Sequence, residues 1–208
     1  MKIVCISDTH GCIQDVSFPE GDVIVHCGDF SNHGTEKELT NQLDFFSNLP
    51  YKYKIWIAGN HDLLIHSSHG PAFISKYSNN NIFYLQDSSI TINGINFYGT
   101  PWTHKFFNWC FMDTEEGLAR HYSRILKDTD ILLSHGPPFG ILDRNRDGLP
   151  CGSSSLLKRI EEINPEFHLF GHIHEGYGEN YHRSELTTYI NCSIVDQWII
   201  HQPIVIEV

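Results

Sequence analysis

Asp8 and His10 stand two residues apart, as do His172 and His174, and each pair directly follows an apolar run. Carboxylate and imidazole are the side chains that hold divalent transition metals. Three further sites carry the same residue types after apolar runs: Gly28-Asp29, Gly59-Asn60-His61-Asp62 and His135-Gly136. Together they offer three carboxylates, five imidazoles and one amide. Each fragment alone is ordinary. An Asp-x-His is a common cap, Gly-Asp and Gly-Asn are turn chemistry, and a lone histidine most often decorates a loop. Five fragments in one order, each closing an apolar strand, are not ordinary, and they point to a metal centre of nitrogen and oxygen donors. The 14 histidines equal the Lys and Arg residues combined, and this placement makes the number informative. With no thiolate in the set, Mn²⁺, Fe, Zn²⁺, Co²⁺ or Ni²⁺ suits it, and an all-oxygen Mg²⁺ or Ca²⁺ cage does not.

The elements that must position these groups read as follows. β-rich runs cover residues 2–7, 22–27, 53–58, 82–85, 88–92, 95–98, 130–134, 166–170, 186–192 and 198–207. Helical patterns cover 36–49, 71–77, 115–127 and 153–163. Strands alternating with helices predict an α/β fold. Asn93-Gly94, between two alternating runs, predicts a hairpin and hence antiparallel additions. Two packed mixed β-sheets flanked by helices satisfy both signals. Ligands in such folds gather beyond the carboxyl ends of strands, where all five fragments lie. Residues i and i+2 of an extended chain project to one side, so each Asp-x-His or His-x-His pair is expected to reach the site from a strand end.

Residues 1–208 show no repeat, linker or low-complexity tract and are read as a single domain. The net charge of −11, from 25 acidic and 14 basic residues, disfavours a nucleic-acid partner and favours a small substrate and bound cations. Six scattered cysteines without a C-x-x-C pair read as reduced thiols, which places the chain in the cytoplasm and disfavours a structural zinc site. Met1-Lys2 leads straight into a short strand and leaves no apolar stretch for a secretory leader, and no run is long enough for a membrane span.

The order D-x-H, G-D, G-N-H-D, H, G-H-x-H across residues 8–174 resembles the signature of calcineurin-like metallophosphoesterases, and Gly28-Asp29-x4-Gly34 matches that family's second block. The second half narrows the likeness. Tyr98-Gly99-Thr100-Pro101-Trp102, Asn108-Trp109, His135-Gly136-Pro137-Pro138 and the stretch from Gly171 to Gly178 resemble the metallophosphoesterase-domain-containing subfamily first described from fetal brain. Some vertebrate members of that subfamily lack the first histidine of the last motif; here it is present as His172.

The resemblance implies a four-layer αββα sandwich and two divalent ions, with Mn²⁺ preferred. One ion would take Asp8, His10, Asp29 and His174. The other would take Asp29, Asn60, His135 and His172, with Asp29 bridging. Two divalent ions, two carboxylates and a bridging hydroxide leave about one positive charge to attract phosphate. His61, beside Asn60, would touch the substrate and stabilise or protonate the leaving oxygen, with Asp62 fixing its ring. The resemblance further implies hydrolysis of a small phosphodiester such as a cyclic nucleotide by metal-activated hydroxide, ahead of a phosphomonoesterase or protein phosphatase, an exonuclease, or a non-catalytic binding module. His33 could touch substrate, and Arg144 and Arg146 could clamp phosphate, although an exposed polar loop is the simpler use of both arginines. Trp102 and Trp109 are read as core residues, with a base-stacking wall as the alternative.

Overall fold

The computed structural model describes residues 1–79, 81–180, 186–196 and 199–208. Two mixed sheets stack face to face. The first orders Ile204–Glu207, Lys2–Ile6, Val23–His26, Tyr53–Trp56 and Ile82–Tyr84, and its last four strands run parallel with Ile204–Glu207 antiparallel at the edge. The second orders Gly178–Asn180, Thr188–Asn191, Phe167–Phe170, Ile131–Ser134, Ile95–Thr100 and Ser88–Ile92, with a parallel centre and antiparallel edges. The α/β architecture of two packed mixed sheets flanked by helices is therefore present.

Strand alternation builds the layers. Ile3, Cys5, Val23 and Val25 point between the sheets and meet Phe97, Ile131, Leu133, Leu169 and Cys192 from the second sheet. Val4, Ile6, Ile24 and Trp56 point the other way, against Leu39, Leu43 and Phe46 of the helix Glu36–Asn48. Leu132 and Phe170 likewise turn outward onto Leu118, Leu156 and Ile160 of the helices Glu115–Tyr122 and Ser154–Ile163. Strands buried on both faces need the near-continuous apolar runs seen in the sequence. Burying a Leu or Ile side chain contributes roughly 1.5–3 kcal/mol, so all three layers of contact hold the stack together.

Local chemistry sets the boundaries. Thr35 caps the first long helix in a reciprocal capping box with Glu38. Asn93 and Gly94 both adopt positive φ, 53° and 87°, and make the two-residue turn between the paired Ile92 and Ile95. The helix predicted over 115–127 ends at Tyr122, where Arg124 and Ile125 switch to tighter i→i−3 backbone bonds and tuck Ile125 into the core. The run predicted over 198–207 divides into Ile199–Ile200, which pairs with Val195–Asp196, and the sheet strand Ile204–Glu207. Pro203 lies between them and cannot donate to a ladder. Trp198, the expected first residue of that run, and His182 lie outside the described residues. Among the described residues, no helix is long and apolar enough to cross a membrane.

Candidate metal centre

Asp8, Asp29 and Asn60 lie just past the carboxyl ends of the adjacent parallel strands Lys2–Ile6, Val23–His26 and Tyr53–Trp56. His135 and the His172/His174 pair follow the adjacent parallel strands Ile131–Ser134 and Phe167–Phe170 of the other sheet. The residues do not reach the site as extended i, i+2 pairs. Asp8, His10, Asp29 and His172 all have left-handed backbones, with φ of 53°, 43°, 59° and 69°. Four non-glycine residues in this region, each costing of order 1–3 kcal/mol, mark a site held by its surroundings. The turns rather than the pleat aim the side chains inward.

Among the described residues, three groups form in which the donor atoms of each group lie within 4.8 Å of one another: Asp8 with His10 and His174, His10 with Asp29 and His61, and Asp29 with His135 and His172. The Asp29 Oδ2 is 3.3 Å from His135 Nε2 and 3.8 Å from His10 Nε2, so this carboxylate stands between the outer groups. Asn60 Oδ1 is 3.0 Å from His135 Nε2. Asp8 Oδ1 is 3.3 Å from His174 Nε2, and His174 Nε2 is 3.2 Å from His10 Nε2. The structure thus brings Asp8, His10, Asp29, Asn60, His135, His172 and His174 together.

These donors fit divalent cations. Among the described residues, Asp8 Oδ1 is buried without a hydrogen-bond partner, an arrangement costly for a carboxylate unless a cation meets it. Its other oxygen, Oδ2, accepts from the His172 backbone N–H and the Ser193 hydroxyl, both at 2.9 Å, which aims Oδ1 at the histidines. His135 Nδ1 donates to the Cys27 carbonyl at 2.9 Å, so Nε2 is the ligating nitrogen. Two glycines let backbone approach the carboxylates. A Cβ on Gly59 would fall 2.2 Å from Asp29 Oδ1, and one on Gly171 would fall 2.0 Å from Asp8 Oδ2.

Electrostatics follow the same contacts. Burial works against the Asp8 and Asp29 carboxylates, yet the surrounding histidines hold both below the usual range. Burial also disfavours a charged His135, but Asp29 overrides it and raises the imidazole to about 9. His172, lacking so close a carboxylate, is pushed by burial down to about 3 and is neutral, as a ligand must be.

His61 lies at the rim. Its Nδ1 is 2.7 Å from the Asn32 carbonyl oxygen, its backbone N–H donates to Asp29 Oδ1 at 2.8 Å, and the Trp109 ring stands 4.2 Å from its own. The expectation that Asp62 orients the His61 ring is corrected here. Asp62 is fully buried and turned away, accepting from the backbone N–H groups of Gly59, Asp29 and Ser31 at 2.9, 3.0 and 3.2 Å and from the Ser31 hydroxyl at 2.9 Å. It ties the Gly28-Asp29 turn to the Gly59-Asn60 turn.

Sequence reading missed Asn32, Ser193 and Phe106. Asn32 supports His61 and also donates from its side chain to the His10 carbonyl at 2.8 Å. Phe106 stands at the cavity mouth beside His172, with ring centroids 5.6 Å apart. Trp102 stacks on His121 at 3.8 Å, away from the centre, whereas Trp109 reaches it through His61. His33 is exposed and does not line the cavity over the cluster. Arg144 donates to the Gly148 carbonyl of its own loop, and Arg146 pairs with Glu175 and Asp196.

Solved structures share this fold at low identity. Protein TT1561 of Thermus thermophilus superposes with a TM-score of 0.68 over 92% of this chain and 88% of its own, at 14% identity. GAP50, the anchor in the inner membrane complex of Plasmodium, gives 0.53 over 93% of this chain and 71% of its own, also at 14% identity. The chain belongs to the calcineurin-like phosphoesterase family, whose model matches residues 1–176. That makes it a metal-dependent phosphoesterase. It is 36% identical to metallophosphoesterase domain-containing protein 1 of Homo sapiens over 99% of this chain and 70% of the relative. It is 37% identical to the UPF0046 protein K07C11.7 of Caenorhabditis elegans over 93% of this chain and 69% of the relative.

Proposed function

We propose that the chain hydrolyses small phosphodiesters, cyclic nucleotides among them, at a two-metal centre. The observation that carries this reading is the cavity over the cluster. It is about 390 Å³ and lined by His10, Asp29, Asn32, Asn60, His61, Phe106, His172, His174 and Val195, with neither lysine nor arginine among them. A phosphomonoester carries −1.5 to −2 charges near neutral pH, and a diester carries one. A centre whose positive surplus is about one charge, without added guanidinium or ammonium, matches the monoanion.

In this reading Asp8, His10, Asp29 and His174 hold one ion, Asp29, Asn60, His135 and His172 hold the other, and Mn²⁺ is the preferred metal. Bound there, the ions supply Lewis-acid polarisation and make water a nucleophile at neutral pH. The protein's own residues do the rest. A carbonyl can only accept, so His61 Nδ1 donates to Asn32 and Nε2 is left to face the substrate. As the imidazolium, protonated on both nitrogens, His61 stabilises charge on the leaving oxygen through Nε2–H or hands that proton to it. Asp62 acts as a positioning residue by fixing the turns that carry Asp29 and Asn60. Six scattered cysteines without a C-x-x-C pair support the cytoplasm as its compartment.

Rates with Mn²⁺ on bis(p-nitrophenyl) phosphate and on p-nitrophenyl phosphate test the proposal. The diester should be cleaved faster. A clear preference for the monoester would replace this reading with a phosphatase.

A further inference from the structure

A second cavity of about 500 Å³ opens directly beside the first, and the two share Phe106, His172 and His174 as a common wall. Its size lies in the range of small-molecule sites, well beyond what a phosphate group fills. Phe106 is 53% exposed, and its ring rests against His172 and, at 5.1 Å, against Phe107. An aromatic ring is thus held at the boundary between the metal cluster and the second cavity with much of its surface uncovered.

The lining also carries Asn145, Arg146, Glu175 and Asp196. Arg146 Nε lies 3.5 Å from Glu175 Oε1, and its Nη2 lies 3.8 Å from Asp196 Oδ1. One cation faces two carboxylates, so a second anionic group would meet a wall without surplus positive charge. A purely apolar group would strip water from these charges and return no hydrogen bonds. The Asn145 side-chain oxygen accepts from the Asp147 and Leu149 backbone N–H groups, so its amide offers donors, and the guanidinium and two carboxylates add further donors and acceptors beside it. Such an edge suits a neutral, planar heterocycle that can stack on Phe106 at the same time.

We propose that this cavity is the base subsite of the enzyme, taking the nucleobase of a nucleotide diester, with Phe106 as its stacking face. The inference rests on the phosphodiesterase reading and adds the place where the non-reacting part of the substrate binds. Phe106 is then a specificity residue.

The test compares kcat/KM of the Mn²⁺-loaded protein for a nucleoside 2′,3′-cyclic phosphate and for the same cyclic phosphate with a methyl group on C1′ in place of the base. The parent should prefer the base-bearing substrate, and Phe106→Ala should reduce that preference by about fivefold to a hundredfold, the usual worth of one base–aromatic stack. Phe106→Tyr should retain most of it. Equal rates on both substrates in the parent, or an undiminished preference in Phe106→Ala, would overturn the base subsite and leave the diesterase reading standing. Should neither diester be cleaved, that reading fails, and nucleoside binding to the Mn²⁺-loaded protein, followed by saturation-transfer NMR, decides the subsite separately. Binding lost in Phe106→Ala supports it, and absence of binding in the parent rejects it.

Discussion

His61 Nδ1 lies 2.7 Å from the Asn32 carbonyl oxygen, and the Asn32 side chain donates to the His10 carbonyl at 2.8 Å. One asparagine therefore fixes the His61 ring at the rim of the cluster and the turn that presents a candidate ligand. Replacing His61 by alanine removes the ring and leaves the Asn32–His10 link. Turnover is expected to drop by roughly 10²–10⁴ while metal content stays near that of the parent. Elemental analysis alongside kcat decides this, and loss of metal in the variant would make His61 a ligand.

His172 offers its neutral ring beside Asp29 and His135, in a group separate from Asp8, His10 and His174. His172→Gly is expected to weaken one ion and spare the other. The left-handed φ of 69° at this position suits glycine, so the fold should survive. Metal content at matched free Mn²⁺ should fall towards half of the parent value. Equal content in both proteins would remove His172 from the ligand set.

Asp62 is fully buried and accepts hydrogen bonds from three backbone N–H groups in two separate turns, those of Asp29 and Ser31 in one and Gly59 in the other. Asp62→Ala leaves those N–H groups without partners, and a loss of about 3–5 kcal/mol in unfolding free energy is expected. Asp62→Asn keeps one acceptor and should lose less. Urea denaturation of the three proteins measures this, and a change below about 1 kcal/mol in Asp62→Ala would contradict the role.

His135 titrates at about 9 because Asp29 outweighs the effect of burial, whereas a histidine of the unfolded chain titrates near 6.5. A raised folded pKa stabilises the metal-free protein fully below about pH 6.5, and that contribution fades as pH rises through about 9. A metal needs the same Nε2 lone pair, so binding must expel the proton. Mn²⁺ affinity should therefore climb across this window. Titration calorimetry in buffers of different ionisation enthalpy should detect proton release at pH 7.5 that shrinks at pH 9.5. Affinity independent of pH would refute it.

Much of the centre was legible because its donors close apolar strands, and parallel strands in one sheet bring their ends to one edge. Asp8, Asp29 and His135 are found this way. Direction was not legible. Asp62 follows His61 in the chain, yet its carboxylate points back into the Gly28-Asp29 turn, because buried backbone N–H groups there require an acceptor. Asn32 and Ser193 were invisible for a different reason. Single polar residues after strands are common, and their use depends on which loop from elsewhere packs against them. Phe106 lies in a stretch without helical or strand period, where sequence carries little about which side chain remains uncovered.

The donors come from both halves of the sandwich: Asp8, Asp29 and Asn60 from one sheet, His135, His172 and His174 from the other. Any ion bound among them rivets the seam between the two. Sliding of the sheets by even an ångström would part Asp29 from His135, so the apolar layer of Ile3, Val25, Phe97 and Leu133 serves as the gauge block that sets the width of the cage.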